Sequence, residues 1–157
     1  METFGGKECN RRRPAGGNQR YEINISLWDA LKGTEQSGPD QWRLQRFLCA
    51  HAIMLALEGI PAFYIHSLLG TGNDYARVEH TGRLRSINRS QWDLETLERE
   101  LDNPISRHNQ VFHQLTRLIA IRRQQPAFHP NATQFTPPLG LTNFGFRAPE
   151  RAPAHAR

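Results

Sequence analysis

One short apolar run constrains this chain more than any other feature. Pro61-Ala62-Phe63-Tyr64-Ile65-His66 follows directly on a helical pattern that Gly59 stops. Its length and its aromatic, β-prone content predict a buried strand. Helix, glycine turn and buried strand together make the second half of a repeating α/β unit. No second run of this kind accompanies it. One clear strand and three helices are too few for a closed α/β architecture, which leaves any self-contained fold short of strands.

The helical signals lie on either side. Residues 21–25 alternate and suggest a short strand. Residues 26–31 suggest a helical turn, ended by Gly33, and residues 34–39 a loop. Asp40 is placed to cap a helix through about Leu57. That helix carries Leu44, Phe47, Leu48, Ile53, Met54 and Leu57, which leaves little polar face and predicts burial on several sides. The long polar stretch 67–89, with glycines at 70, 72 and 82, is the kind of loop on which α/β folds place ligand sites. Ser90 opens a short amphipathic helix with Leu94, Leu97 and Leu101. Asn103-Pro104 starts another, with Val111, Phe112, Leu115, Leu118, Ile119 and Ile121 on its core face, and Pro126 ends it.

Charge divides the chain into three parts. The net charge is +5, which invites a nucleic-acid partner. Yet residues 21–130 hold 12 basic and 12 acidic side chains, whereas residues 1–20 hold five against two and residues 131–157 three against one. The whole excess therefore sits in the flanks, which read as a disordered head over 1–20 and a Pro/Ala/Arg-rich tail over 131–157. No aromatics are interleaved with Arg11-Arg12-Arg13 as a stacking surface requires, so no nucleic-acid partner is expected. No run of eighteen apolar residues spans a membrane, and the first twenty residues hold no apolar stretch of a secretory signal. Cys9 and Cys49 form neither a disulfide framework nor a metal-ligand spacing, and Cys49 is expected as a small buried hydrophobe. These features predict a cytoplasmic chain without metal or other cofactor. Asn131-Ala132-Thr133 matches a glycosylation sequon by chance, since no secretory route is visible.

Several motifs now line up in order: Tyr21-Glu22-Ile23-Asn24, Asp29-Ala30-Leu31, Arg46-Phe47-Leu48, Gly59-Ile60-Pro61-Ala62-Phe63-Tyr64, Asn73-Asp74, Arg85-Ser86-Ile87-Asn88-Arg89 and Arg122-Arg123-Gln124-Gln125-Pro126. Over residues 21–130 the chain resembles the sucrose phosphorylase and glucosylglycerate phosphorylase branch of the α-amylase superfamily, glycoside hydrolase family 13. Trp28, Trp42 and the Ala50-His51 pair incline toward the glucosylglycerate type. The resemblance implies an α/β fold, a partial (β/α)8 TIM barrel comprising loop 7, helix 7, strand 8, loop 8 and helix 8. It further implies that residues 131–157 begin a C-terminal β domain or form a tail.

The family transfers a glucosyl unit to phosphate by double displacement, with an Asp nucleophile and a Glu acid/base. In the family these carboxylates precede the Tyr21-Glu22-Ile23-Asn24 segment. Only Glu2 and Glu8 precede it here, so the chain is expected to lack the catalytic carboxylates and to be inactive alone, as a truncated or frameshifted product would be. Arg85 matches the arginine that contacts the glucosyl unit; alternatively it pins its loop through Asp74 or Glu79. Tyr21 and Glu22 match the acceptor-side loop, or serve only as edge packing. His66, at the end of the expected strand, faces the barrel mouth or is a hydrogen-bonded core residue. Sugar and phosphate are the partners implied for the parent enzyme, and exposed barrel edges imply self-association. His51 and His113 show no metal-ligand spacing.

Overall fold

A computed structural model describes residues 4–135 and 137. Two antiparallel hairpins and six α-helices make up the described part: β1 (Lys7–Arg12), β2 (Asn18–Asn24), α1 (Leu27–Ala30), β3 (Gly33–Thr34), β4 (Gly38–Pro39), α2 (Arg43–Ala56), α3 (Ile65–Leu68), α4 (Tyr75–Thr81), α5 (Leu94–Asp102) and α6 (Arg107–Arg123). Two 3-10 helices, Leu84–Asn88 and Pro126–Phe128, complete it.

The centre is the crossing of α2 and α6. Phe47, His51 and Leu55 recur every four residues on α2 and are all buried; His108, Val111, Leu115 and Arg122 form the facing stripe of α6. Trp28 of α1 closes this core edge-on to Phe47, with ring centroids 5.3 Å apart. Caps set the helix starts. The Ser26 hydroxyl accepts from the Asp29 amide, Asp74 from Arg77, Asp93 from Thr96 and Ser106 from His108, each satisfying an amide the first turn leaves open.

The structure departs from the sequence expectations at several places. Residues 7–24, most of the expected disordered head, form a hairpin. Lys7 pairs with Asn24 and Arg12 with Asn18, and the register shifts between Cys9 and Asn10. Gly16 and Gly17, with φ of +87° and +86°, allow the chain to reverse where a side chain would strain it. Residues 61–64 join no ladder and lead into α3, so the expected strand is absent among the described residues. A strand needs a neighbour to take its amide and carbonyl groups, and the described sheets are only the two hairpins.

Asp40 does not cap α2, which starts at Arg43; its carboxylate instead accepts from the Trp42 amide at 2.8 Å and pairs with Arg46. The α2 helix is buried along one stripe, not on several sides, leaving Ile53 and Leu57 exposed. Cys49, two residues from Phe47, turns to the opposite face and is exposed. Helices α5 and α6 start at Leu94 and Arg107, later than Ser90 and Asn103 suggested. Beyond residue 137 the expected tail or β domain lies outside the described residues. Among the described residues no helix is long and apolar enough to cross a membrane.

Candidate functional site

The hairpin lies against the 3-10 helix Leu84–Asn88, and this contact assembles three of the four candidate residues. Tyr21 and Glu22 stand on β2, and Arg85 on the 3-10 helix. Arg85 Nε donates to Glu22 Oε2 at 2.7 Å. The pair does not involve Asp74 or Glu79, the partners expected if Arg85 merely pinned its own loop. Glu22 holds the guanidinium above its usual pKa, first through this hydrogen bond and then through its charge, and Tyr21 adds to the effect. Tyr21 is exposed, with the Arg11 guanidinium 5.8 Å from its ring centroid.

His66 stands apart. It lies on α3 beside Tyr64, ring centroids 5.2 Å apart and edge-on, in a hollow of about 210 Å³ that Trp28, Thr71 and Asn88 also line. The Tyr64 hydroxyl donates to the Asn88 carbonyl at 2.8 Å and ties this hollow to the same 3-10 helix. Burial holds His66 below its ordinary pKa, and its Nδ1 is buried without a partner.

Other polar groups serve the framework. Asp29 Oδ2 accepts from the Asn73 amide at 2.6 Å and from the Ser26 hydroxyl at 3.1 Å, while Oδ1 accepts from Arg43 at 3.0 Å. Asn73 Oδ1 in turn accepts from the Ser26 amide at 2.7 Å. This junction fastens the loop before α4 to α1, and Asp74 caps α4, so Asn73 and Asp74 shape the loop. His51 is a core residue. The Phe47 carbonyl, 2.8 Å from its Nδ1, can only accept, so that nitrogen carries the proton. No group of three His, Cys, Asp or Glu suited to a metal occurs among the described residues.

Beside Arg85 opens a polar hollow of about 770 Å³, lined by Arg77, His80, Arg83, Ser86 and Arg89 as well. Segment-wide charge counting concealed this cluster, because acidic residues elsewhere in 21–130 balance it. A window over residues 77–89, with four arginines against Glu79, is the signal that reveals it.

No family model matches the chain. It is 44% identical over 121 residues to the glucosylglycerate phosphorylase of Escherichia coli K12, covering 77% of this chain and 21% of that protein. It is 37% identical over 129 residues to the glucosylglycerate phosphorylase of Allomeiothermus silvanus, covering 82% of this chain and 23% of that protein. Among solved structures, the sucrose 6F-phosphate phosphorylase of Thermoanaerobacter thermosaccharolyticum superposes with a TM-score of 0.65 at 25% identity, over 87% of this chain and 25% of that one. The proteins it matches in sequence and in fold are thus glycoside phosphorylases. The chain is a relative of the sucrose phosphorylase and glucosylglycerate phosphorylase branch of glycoside hydrolase family 13. It spans about a fifth of the length of these curated relatives.

Proposed function

We propose that this chain provides the acceptor-side and glucosyl-contacting loops of a retaining glycoside phosphorylase, as the closing units of a partial (β/α)8 barrel. The reaction served is transfer of a glucosyl unit from sucrose or a related α-glucoside to phosphate, releasing glucose 1-phosphate. The single observation that carries this reading is the Arg85–Glu22 contact, which joins at one polar surface two of the motifs on which the family resemblance rests. A guanidinium fork suits paired sugar hydroxyls or an oxyanion, and Tyr21 offers a flat face and a hydroxyl beside it. His66 lines the neighbouring hollow as a further contact for the sugar.

Glu22 is no acid/base here, since its Oε2 already accepts from Arg85. Asp29, Asp74 and Asp93 are engaged in the loop junction and the helix caps. That these four carboxylates are engaged within the fold supports reading the chain as one that does not break a glycosidic bond by itself. Incubated with sucrose or glucosylglycerate and phosphate, the purified chain should release no glucose 1-phosphate; release at rates like those of the relatives overturns this. Exchanging the chain for the matching segment of the E. coli relative tests the positive half. The chimera should keep phosphorolysis of glucosylglycerate, and a folded but inert chimera refutes the assignment.

A second reading rests on exposed apolar side chains. Ile60 and Ile105 are 84% and 85% exposed, and Leu94 67%, surface that a non-catalytic protein would cover by self-association. Sedimentation at increasing concentration separates the two: a monomer throughout excludes this alternative.

A further inference from the structure

We propose that the β1–β2 hairpin is a docking surface for single-stranded nucleic acid, with Tyr21 as its stacking platform and Arg11, Arg12 and Arg13 as its phosphate contacts. Residues 7–20 precede the segment on which the family resemblance rests, and only Tyr21 is shared with the sugar-facing reading. In linear order no aromatic stands among the three arginines, yet the hairpin brings one to them. The register sets Arg11 opposite Gln19, and side chains two apart on a strand share a face. Arg11, Gln19 and Tyr21 therefore lie together, and Arg13 joins them from the turn. Two contacts fix the grouping. The Arg11 guanidinium is 5.8 Å from the Tyr21 ring centroid, and Arg13 Nε donates to Gln19 Oε1 at 3.0 Å. All four side chains are exposed.

The charge on this hairpin is not used up by the fold. Residues 7–24 hold five basic side chains and two acidic ones. Both carboxylates are engaged, Glu8 with Arg20 at 3.0 Å and Glu22 with Arg85 at 2.7 Å. Among the described residues no carboxylate lies within ion-pair distance of Lys7, Arg11, Arg12 or Arg13. Guanidinium forks left open in this way match phosphate oxygens. Arginines alone would suit any polyanion, and Tyr21 narrows the partner. An unpaired base can stack on an exposed ring, whereas a base held inside a duplex cannot. A membrane surface fits less well, because the turn residues Pro14, Ala15, Gly16 and Gly17 offer no large apolar side chain to insert.

Fluorescence anisotropy of a short labelled oligodeoxythymidine with the full chain tests this. At about 50 mM salt the dissociation constant should lie between about 1 and 100 μM. At about 200 mM it should rise roughly 20- to 50-fold, as three or four phosphate contacts require. Arg11 and Arg12 are exposed, so the Arg11→Gln/Arg12→Gln chain should melt like the parent while its logarithmic salt slope flattens by about 1.4. Tyr21→Leu should weaken binding about fivefold or more and leave the slope unchanged. No binding at the lower salt overturns the surface, as does equal affinity for the duplex form or for polyglutamate. A Tyr21→Leu chain that binds like the parent, or an unchanged slope in the double variant, also overturns it. Strand binding is read without any turnover, so an inert chimera in the phosphorolysis test leaves this result standing, and the reverse holds.

Discussion

Arg85 Nε stands 2.7 Å from Glu22 Oε2, and the two residues are 63 positions apart in the chain. The bond crosses from the 3-10 helix to β2, so it fixes where the hairpin meets the arginine-lined hollow. Both side chains remain partly in solvent, 54% and 34% exposed, where water and salt screen an ion pair strongly. The pair therefore contributes position more than stability. The Glu22→Gln variant should melt within about 2 °C of the parent, yet bind inorganic phosphate more tightly because Arg85 loses its counter-charge. Scanning calorimetry and titration check both halves, and weaker phosphate binding in the variant would contradict the second.

The helical framework was legible because its signals are local. Ser26 and the glycine stops are read from neighbours, and the stripe Val111, Leu115, Leu118 follows from a 3.6-residue period. Residues 61–66 carry the pattern of a buried strand without becoming one, because a strand is defined by partners that periodicity does not reveal. Gly16-Gly17 is a hairpin signal set among arginines whose composition resembles that of a disordered segment. Tyr21, Glu22 and Arg85 were singled out by resemblance, whereas their meeting is tertiary. Arg77, Arg83 and Arg89 do not stand out in the sequence because a neutral total over a long segment averages away a local charge cluster.

Arg122 is the polar side chain on which the packing of α6 against the end of α2 depends. It is buried and donates to the Leu55 carbonyl at 2.7 Å and the Gly59 carbonyl at 2.8 Å, with its guanidinium 4.9 Å from the Phe128 ring centroid. The first is a last-turn carbonyl that α2 leaves open, and the second belongs to the turn that follows the helix. Arg122→Ala strands both, so urea unfolding should show a loss of about 2–4 kcal/mol. Arg122→Lys, with one compact ammonium in place of the fork, should lose roughly half as much. Equal stability for all three chains would show that water replaces the arginine.

Gly70 allows α3 to end directly against α6. Its φ is +60°, and a Cβ there would come within 2.9 Å of Val111 Cγ2 and 3.1 Å of Val111 Cβ. Val111 is fully buried and β-branched, so it cannot rotate away inside a helix. Gly70→Ala should cost about 2–4 kcal/mol, combining left-handed strain with overpacking. Adding Val111→Ala removes the contacts with the two Cγ methyls but keeps the 3.1 Å contact with Cβ and the strain, so the double variant should be more stable than the sum of the single losses predicts. Additive losses in urea melts would place the cost in the backbone alone.

His108 makes the fold sensitive to mild acid. Its Nδ1 lies 2.6 Å from the Leu69 carbonyl, and Arg107 Nε donates to its Nε2 at 3.2 Å. The carbonyl requires a proton on Nδ1 and Arg107 requires a lone pair on Nε2, so the ring is neutral. Burial chiefly lowers its pKa below the ordinary 6.5 and the Arg107 charge adds to this, while the Leu69 bond and Glu100 act the other way. The unfolded chain takes up a proton near pH 6.5 that the folded chain resists, so the unfolded state binds more protons below that pH. Stability is then complete above 6.5 and is lost as pH falls toward the lowered folded value. His66, displaced the same way by burial, adds to the loss. The midpoint of urea unfolding should drop between about pH 7 and pH 5. His108→Gln should start lower at neutral pH and fall less steeply, keeping only the His66 part of the slope. A variant whose midpoint falls in parallel with the parent would assign the acid sensitivity to other groups.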